Sequence, residues 1–214
     1  MKILVVGGGG REHAIIKKIR ENKAVETVYA LPGNGGMEKD AVCVPIGACD
    51  IPAIVAFALE NRIDYAVVAP DDPLVLGCVD RLEEAGIPCF GPRANAAVLE
   101  GSKVFSKDLM KKYGIPTADY RVFTDLESAL AYLESAPIPI VVKADGLALG
   151  KGVTVAVTRE QARDAVLAAM QDKKFGKSGD RLVIEEYLTG PEVSVLAFTD
   201  GKTVKPMVSS MDHK

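Results

Sequence analysis

The chain opens on an apolar run, Lys2 to Val6, that ends in four consecutive glycines, and no other stretch restricts the possible folds as strongly. Behind the glycines, Ala14, Ile15, Ile16 and Ile19 share a helical face, so the segment reads as strand, glycine turn, helix. The pattern repeats. Thr27 to Leu31 is a second short strand ending at Pro32-Gly33-Asn34-Gly35-Gly36, Ile51 to Asn61 a helix, and Asp64 to Ala69 a buried strand. A helix over Leu76 to Ala85 stops at Gly86 and leads to a strand at Pro88 to Phe90. Such alternation implies a parallel sheet with right-handed crossovers. Ligands of these sheets bind beyond the carboxyl ends of the strands, where Gly7 to Gly10, Pro32 to Gly36, Ala69 to Pro73 and Gly91-Pro92 all fall.

A second, α+β unit follows. Ser102 is a good N-cap for a helix whose apolar stripe is Phe105, Leu109, Met110 and Tyr113, closed by Gly114 and Pro116. Strands are expected near Tyr120 to Phe123, Ile138 to Lys143, Val153 to Val157 and Leu182 to Glu186, with helices over Leu126 to Glu134 and Arg159 to Gln171. Glu192 to Thr199 and Thr203 to Ser209 flank Asp200-Gly201, a hairpin signal because both turn residues tolerate positive φ.

The 214 residues, 48% hydrophobic and 26% charged with a net charge of −3, have the balance of a folded globular protein of one or two domains. The charges are scattered, and nothing favours a nucleic-acid surface. The apolar start is too short for a secretory signal, and no stretch approaches the ~20 apolar residues of a membrane span, so the expected location is cytoplasmic. Cys43, Cys49, Cys78 and Cys89 form no C-x-x-C pair and are expected as buried free thiols. His13 and His213 are too few for a histidine metal cluster or a conventional triad.

Three glycine-rich segments carry candidate chemistry. Val5 to His13 suggests a dinucleotide site, but Glu12 or His13 stands where the third glycine of that fingerprint belongs, and Tyr29 to Pro32 lacks the ribose-binding acid. A tight turn with no ligand is one remaining reading. A small phosphate-bearing substrate held by amides at the helix N-terminus fits better. Val141 to Val153, VVKADGLALGKGV, is not a Walker A loop: Asp145 and Gly152 replace required residues and a strand follows. Its glycine amides can still close over phosphates while Lys143 and Lys151 supply charge, each worth about 1 to 4 kcal/mol at 4 Å. Finally, Glu185-Glu186 continue a buried strand, where each carboxylate costs several kcal/mol unless paired.

Taken in order, GGGGREHA, PGNGG, DDPL, FGP, EGSKVFSKDLMKKYGIPTA, VVKADGLALGKGV and EEYLTGPEVSVLAFTDG resemble the phosphoribosylamine–glycine ligases, which belong to the ATP-grasp superfamily, over essentially the whole chain. The resemblance implies an α/β fold in four parts. Residues 1–101 would be an N-terminal parallel-sheet, Rossmann-like substrate domain, 102–122 the start of the ATP-grasp core, 123–191 the α+β lid and 192–214 a truncated core hairpin. It also implies that Lys103 and Lys143 meet ATP phosphates under a loop containing Gly146, Gly150, Lys151 and Gly152. Adenine would meet backbone groups of Glu186 and Leu188 with Glu185 nearby, and Glu192 the ribose. Gly8, Gly9, Gly10, Gly33, Asn34, Gly35, Asp71 and Asp72 would border the phosphoribosylamine site.

The implied reaction phosphorylates glycine on its carboxylate with ATP, and the amine of phosphoribosylamine then attacks the glycyl phosphate, with Mg²⁺ (or Mn²⁺) offsetting phosphoryl charge. Two departures stand out. The family usually carries a glycine and a glutamate in the loop that here reads Ala69 to Leu74, and the chain ends at Met211-Asp212-His213-Lys214, before the metal-binding acids. The carboxylates that hold metal are thus expected beyond residue 214, and the chain alone is expected to be inactive. The parent is expected to be a monomer, while an unpaired sheet edge in the truncated part favours self-association. Alternatives are another ATP-grasp carboxylate–amine ligase, a non-catalytic ATP-binding module, and an NAD-dependent oxidoreductase.

Overall fold

The computed structural model describes residues 1–148 and 151–211. Its first unit is a five-stranded parallel sheet in the order β3-β2-β1-β4-β5, built from β1 (Lys2–Gly7), β2 (Thr27–Pro32), β3 (Val42–Cys43), β4 (Tyr65–Val68) and β5 (Cys89–Phe90). β1 lies in the middle, paired with β2 from Lys2↔Thr27 and with β4 from Ile3↔Tyr65. Leu4, Val5 and Val6 are completely buried, as expected of a parallel strand covered on both faces.

One face packs on helix α1 (Gly10–Arg20), which buries Ile16 against Ile3, Val5, Val28 and Val67. The other face carries Leu4, Val6, Leu31 and Val68 against α2 (Ile51–Glu60) and later helices. Asp50 caps α2 by accepting from the Ala53 amide at 3.2 Å.

The helix expected over Leu76 to Ala85 is α4 (Cys78–Glu84); a short helix α3 (Asp71–Val75), in a segment read as loop, precedes it and is separated from it at Gly77, which adopts φ +84°. Helix α5 (Ala94–Gly101) was not expected. Its capping oxygen comes from another helix: Asp80 Oδ2 accepts from the Ala94 amide at 2.8 Å, so no local N-cap residue marks the start.

Helix α6 (Lys103–Lys112) begins where expected, with Ser102 Oγ accepting from the Phe105 amide at 3.1 Å. Its buried side is not the expected stripe. Phe105 and Tyr113 are exposed, and Val104 and Lys107 point inward, because the helix packs its inner side against a charged cleft.

The second unit is an antiparallel sheet, β6-β9-β7-β8, of β6 (Tyr120–Phe123), β7 (Ile140–Ala144), β8 (Val153–Ala156) and β9 (Leu182–Glu186). Ile140, Val142, Ala156, Leu182 and Ile184 pack under α7 (Leu126–Ser135) and α8 (Arg159–Val166), which continues as a π turn over Leu167–Gln171. The opposite face presents Val122, Val153 and Val155, all exposed, beside Lys143 and Glu185.

The chain then enters a hairpin, β10 (Ala197–Thr199) and β11 (Val204–Pro206), extended by a bridge between Ser194 and Ser210. As expected, Asp200-Gly201 makes the turn: Asp200 Oδ1 accepts from the Lys202 and Thr203 amides, and Gly201 has φ +85°. Phe198 reaches back to Phe90 of the first sheet, with ring centroids 6.1 Å apart.

Three cysteines are at least partly buried and all four are free, but Cys49 is exposed rather than buried. Burial, reinforced by Cys49, pushes the Cys78 thiol up to about 11, and burial with nearby Glu83 and Cys78 pushes Cys89 up to about 12. In the folded protein at pH 8.5, iodoacetamide should therefore modify Cys49 while sparing Cys78 and Cys89, and denaturant should expose both. Mass spectrometry of the labelled peptides measures this; rapid labelling of Cys78 in the native state would contradict the packing.

Candidate active site

The strand order places a topological switch between β1 and β4, and the turns after β1, β2 and β4 meet there. Asn34 Nδ2 donates to Gly8 O at 2.7 Å and the Gly33 amide donates to Gly7 O at 3.2 Å, so the two glycine motifs form one surface. A β-carbon on Gly8 would lie 2.7 Å from Gly33 O, and one on Gly7 would meet Pro70 of the β4 turn. Gly7 also has φ +128°, and only glycine fits there without strain.

The helix N-terminus at this junction differs from the expectation of free amides. Glu12, 7% exposed, folds back so that its carboxylate accepts from the Gly9 amide at 2.6 Å. A residue that spoils the dinucleotide fingerprint thus supplies the helix with its own anion. Beside it, His13 Nε2 pairs with Asp40 Oδ2 at 2.9 Å, and this bond holds the Asp40 carboxyl below the usual range. Gly10 and Gly35 present open space at their α-carbons.

The cationic half of the site lies in a cleft of about 400 Å³ lined by Asp71, Asp72, Glu100, Lys103, Lys107, Lys143 and Leu147, among others. The cleft joins residues expected for two different ligands: Asp71 and Asp72 from the sheet domain face Lys103 and Lys143 across it. Lys103 Nζ donates to Gly146 O at 3.0 Å. Burial pushes Lys103 below the ordinary lysine value; Asp145 opposes this, and Lys143 adds to it.

The glycine loop is pinned at both ends. Ala144 donates to Gly152 O at 2.8 Å and Lys151 to Ala148 O at 2.8 Å, while Ser178 Oγ donates to Leu147 O at 2.8 Å. Ser178 packs so closely on Gly146 that a side chain there would collide with it. Gly150 lies outside the described residues. Lys151, whose amide makes one of these bonds, is exposed.

The pair Glu185-Glu186 divides in two. Glu185 is buried and faces Lys107 at 2.6 Å through Oε2 and Lys143 through Oε1, which is the pairing a buried carboxylate requires. Glu186 is exposed, and its amide donates to Asp119 O at 2.9 Å. Leu188 and Glu192 follow on the exposed segment leading to the hairpin.

Two residues escaped sequence reasoning. Asp145, next to Gly146, is 6% exposed and accepts from Ser102 Oγ at 2.9 Å and the Val104 amide at 2.8 Å, with Arg181 on its other oxygen. Its signal was an acid directly after a buried strand. Lys107 lay on the polar side of a helical pattern, where a solvated lysine is the ordinary reading.

Residues 1–100 match the N domain of phosphoribosylglycinamide synthetase, and residues 101–214 match its ATP-grasp (A) domain. The chain belongs to the phosphoribosylglycinamide synthetase family. It is 52% identical to the phosphoribosylamine–glycine ligase of Allochromatium vinosum and 51% identical to that of Escherichia coli K12, in each case over all of this chain and half of the relative. The crystal structure of the Thermotoga maritima phosphoribosylamine–glycine ligase superposes with a TM-score of 0.77 at 28% identity, covering 98% of this chain and 49% of that one. The chain thus spans about half the length of the phosphoribosylglycinamide synthetases it matches.

Asp145 offers a direct test of the site's scaffold. Asp145→Ala strips the acceptor from the α6 N-terminus, leaving half-exposed Arg181 to water, and should destabilise the protein by about 1–3 kcal/mol. Asp145→Asn, which keeps an acceptor, should cost less. Urea unfolding midpoints compare the two; an alanine variant as stable as wild type would remove Asp145 from the scaffold.

Proposed function

We propose that this chain is the nucleotide-binding half of a ligase that joins glycine to 5-phosphoribosylamine, forming glycinamide ribonucleotide, ADP and phosphate in purine biosynthesis. The carrying observation is the cleft in which Lys103 and Lys143 converge under the pinned glycine loop, opposite Asp71 and Asp72. A cluster of ammonium groups beside backbone amides suits the charge of a triphosphate.

In this reading Lys103 and Lys143 bind ATP phosphates, and the loop through Gly146, Gly150, Lys151 and Gly152 covers them. Adenine lies on the open face of the second sheet, along Val153 and Val155, with Glu185, Glu186 and Leu188 at its edge and Glu192 toward the ribose. The surface of Gly8, Gly9, Gly10, Gly33, Asn34 and Gly35, with Asp71 and Asp72, receives phosphoribosylamine. Because Glu12 takes the Gly9 amide, the sugar phosphate is left the neighbouring Gly10 side of the turn. The division at 101/102, the lid at 123–191 and the hairpin from 192 are part of the same proposal.

The chemistry follows from the poor electrophilicity of a carboxylate. ATP phosphorylates a glycine carboxylate oxygen, releasing ADP, and attack by the amine on the glycyl phosphate carbonyl expels phosphate. Lys103 and Lys143 stabilise the charge on the transferring group, and no protein nucleophile takes part. Mg²⁺ would supply further charge neutralisation, and in this reading its ligands belong to the half of the family's length that this chain does not span. The reaction is expected in the cytoplasm; no described helix is long and apolar enough to cross a membrane.

Calorimetry with MgATP tests the site. Saturable binding should weaken about tenfold or more in Lys143→Ala, the loss of one ammonium–phosphate contact, and NADH should not bind. Phosphate affinity requires protonated Lys103, whose pKa is lowered, so MgATP binding should decline on raising the pH before the ordinary lysine range near ~10.4 is reached. Unaltered binding in the Lys143 variant would refute the site. Residues 1–214 alone should give no glycinamide ribonucleotide, and turnover would refute the assignment of metal ligands to the remainder.

A further inference from the structure

We propose that Lys107 is a positioning residue: it holds the buried Glu185 carboxylate as a shared counter-ion, so that Lys143 is free to leave it for the phosphates of a nucleotide. The proposal rests on the nucleotide-binding reading above for its final step, but the shared counter-ion is a property of the protein alone.

The two lysines are not equivalent. Lys107 is fixed by protein on several sides: its ammonium donates to Thr117 Oγ1 at 2.7 Å and to Ala118 O at 3.4 Å, and lies 5.5 Å from the centre of the Tyr120 ring. Its side chain is 10% exposed. Lys143 is 26% exposed, contacts Glu185 and opens onto the cleft that Lys103 also lines. Glu185 Oε2 lies at ion-pair distance from Lys107 without the alignment of a directed hydrogen bond, so charge, rather than a fixed bond, holds it.

With one carboxylate between two ammonium groups, the trio carries a net positive charge. When Lys143 swings to an incoming phosphate, Glu185 remains compensated by Lys107, and no buried charge is stranded. Without Lys107, Lys143 would be the sole counter-ion of a buried carboxylate, and a phosphate would have to compete for it. The same arrangement keeps two ammonium groups from repelling each other across the cleft before ligand arrives.

Two readouts separate this role from a merely structural one. In the ligand-free protein, acetylation of Lys143 by an N-hydroxysuccinimide ester, followed by mass spectrometry, should slow several-fold in Lys107→Met and recover in Lys107→Met/Glu185→Gln. Lys107→Arg should resemble wild type. MgATP affinity should fall about tenfold in Lys107→Met and be kept in Lys107→Arg. Should Lys107→Met not fold, Glu185→Gln alone should accelerate Lys143 acetylation. Unchanged Lys143 labelling in folded Lys107→Met, or in Glu185→Gln, would overturn the shared counter-ion. Labelling that changes as expected in a protein that binds no MgATP would instead refute the nucleotide reading and the hand-over to phosphate with it.

Discussion

The carboxylate of Asp145 ties together parts of the chain that approach from three directions. It sits at the end of β7, accepts from the hydroxyl and amide at the start of α6, and pairs with Arg181 ahead of β9. The Lys103 amide adds a bond to Asp145 O at 3.0 Å, and the Asp145 amide donates to the carbonyls of Ser178 and Arg181, each at 3.0 Å. The positions of Lys103 and Lys107 on α6, of Lys143 two residues before Asp145 and of the glycine loop just after it all depend on this junction. An anion at a helix N-terminus is favourable for its charge as well as for its hydrogen bonds.

Around that junction each charged group has a polar partner at short range. Lys107 and Lys143 share Glu185, Arg181 answers Asp145, and Lys103 rests on the Gly146 carbonyl. Such a network desolvates several ionic groups without leaving any isolated, which is what makes a polar cleft tolerable between two apolar cores. The acids Asp71 and Asp72, at the start of α3, line it from the first unit, so the cleft has a positive wall and a negative wall contributed by different units.

Features governed by short sequence windows were legible. The strand, glycine turn and helix at the start, the Ser102 cap and the Asp200-Gly201 turn all follow from residues within a few positions of one another. The Lys143 strand end and the glycine stretch after it were legible as a strand leading into a loop, but not the ion pair that Lys143 makes with Glu185. Features governed by distant partners were not. Helix α5 is capped by Asp80 from another helix, and α6 buries Lys107 in place of Phe105 because Glu185 lies opposite. Glu12 read as an obstacle to one ligand motif, and only the backbone path at Gly7 and Gly9 shows it as a cap. Periodicity identifies an apolar stripe; which face turns inward is decided by what the rest of the chain puts there.

The pinning of the glycine loop also sets a limit on its reach. Between the anchored Gly146 and Gly152 the backbone contour is about 20 Å, so no residue of that span can stand more than about 10 Å from its feet. The feet adjoin the end of β7, close to Lys143 and Lys103. In the proposed reading, a cover of that radius would enclose a phosphate group at the lysines and fall short of a purine ring farther along the sheet. On that reading, a cover over the other end of the nucleotide would have to come from a different part of the protein.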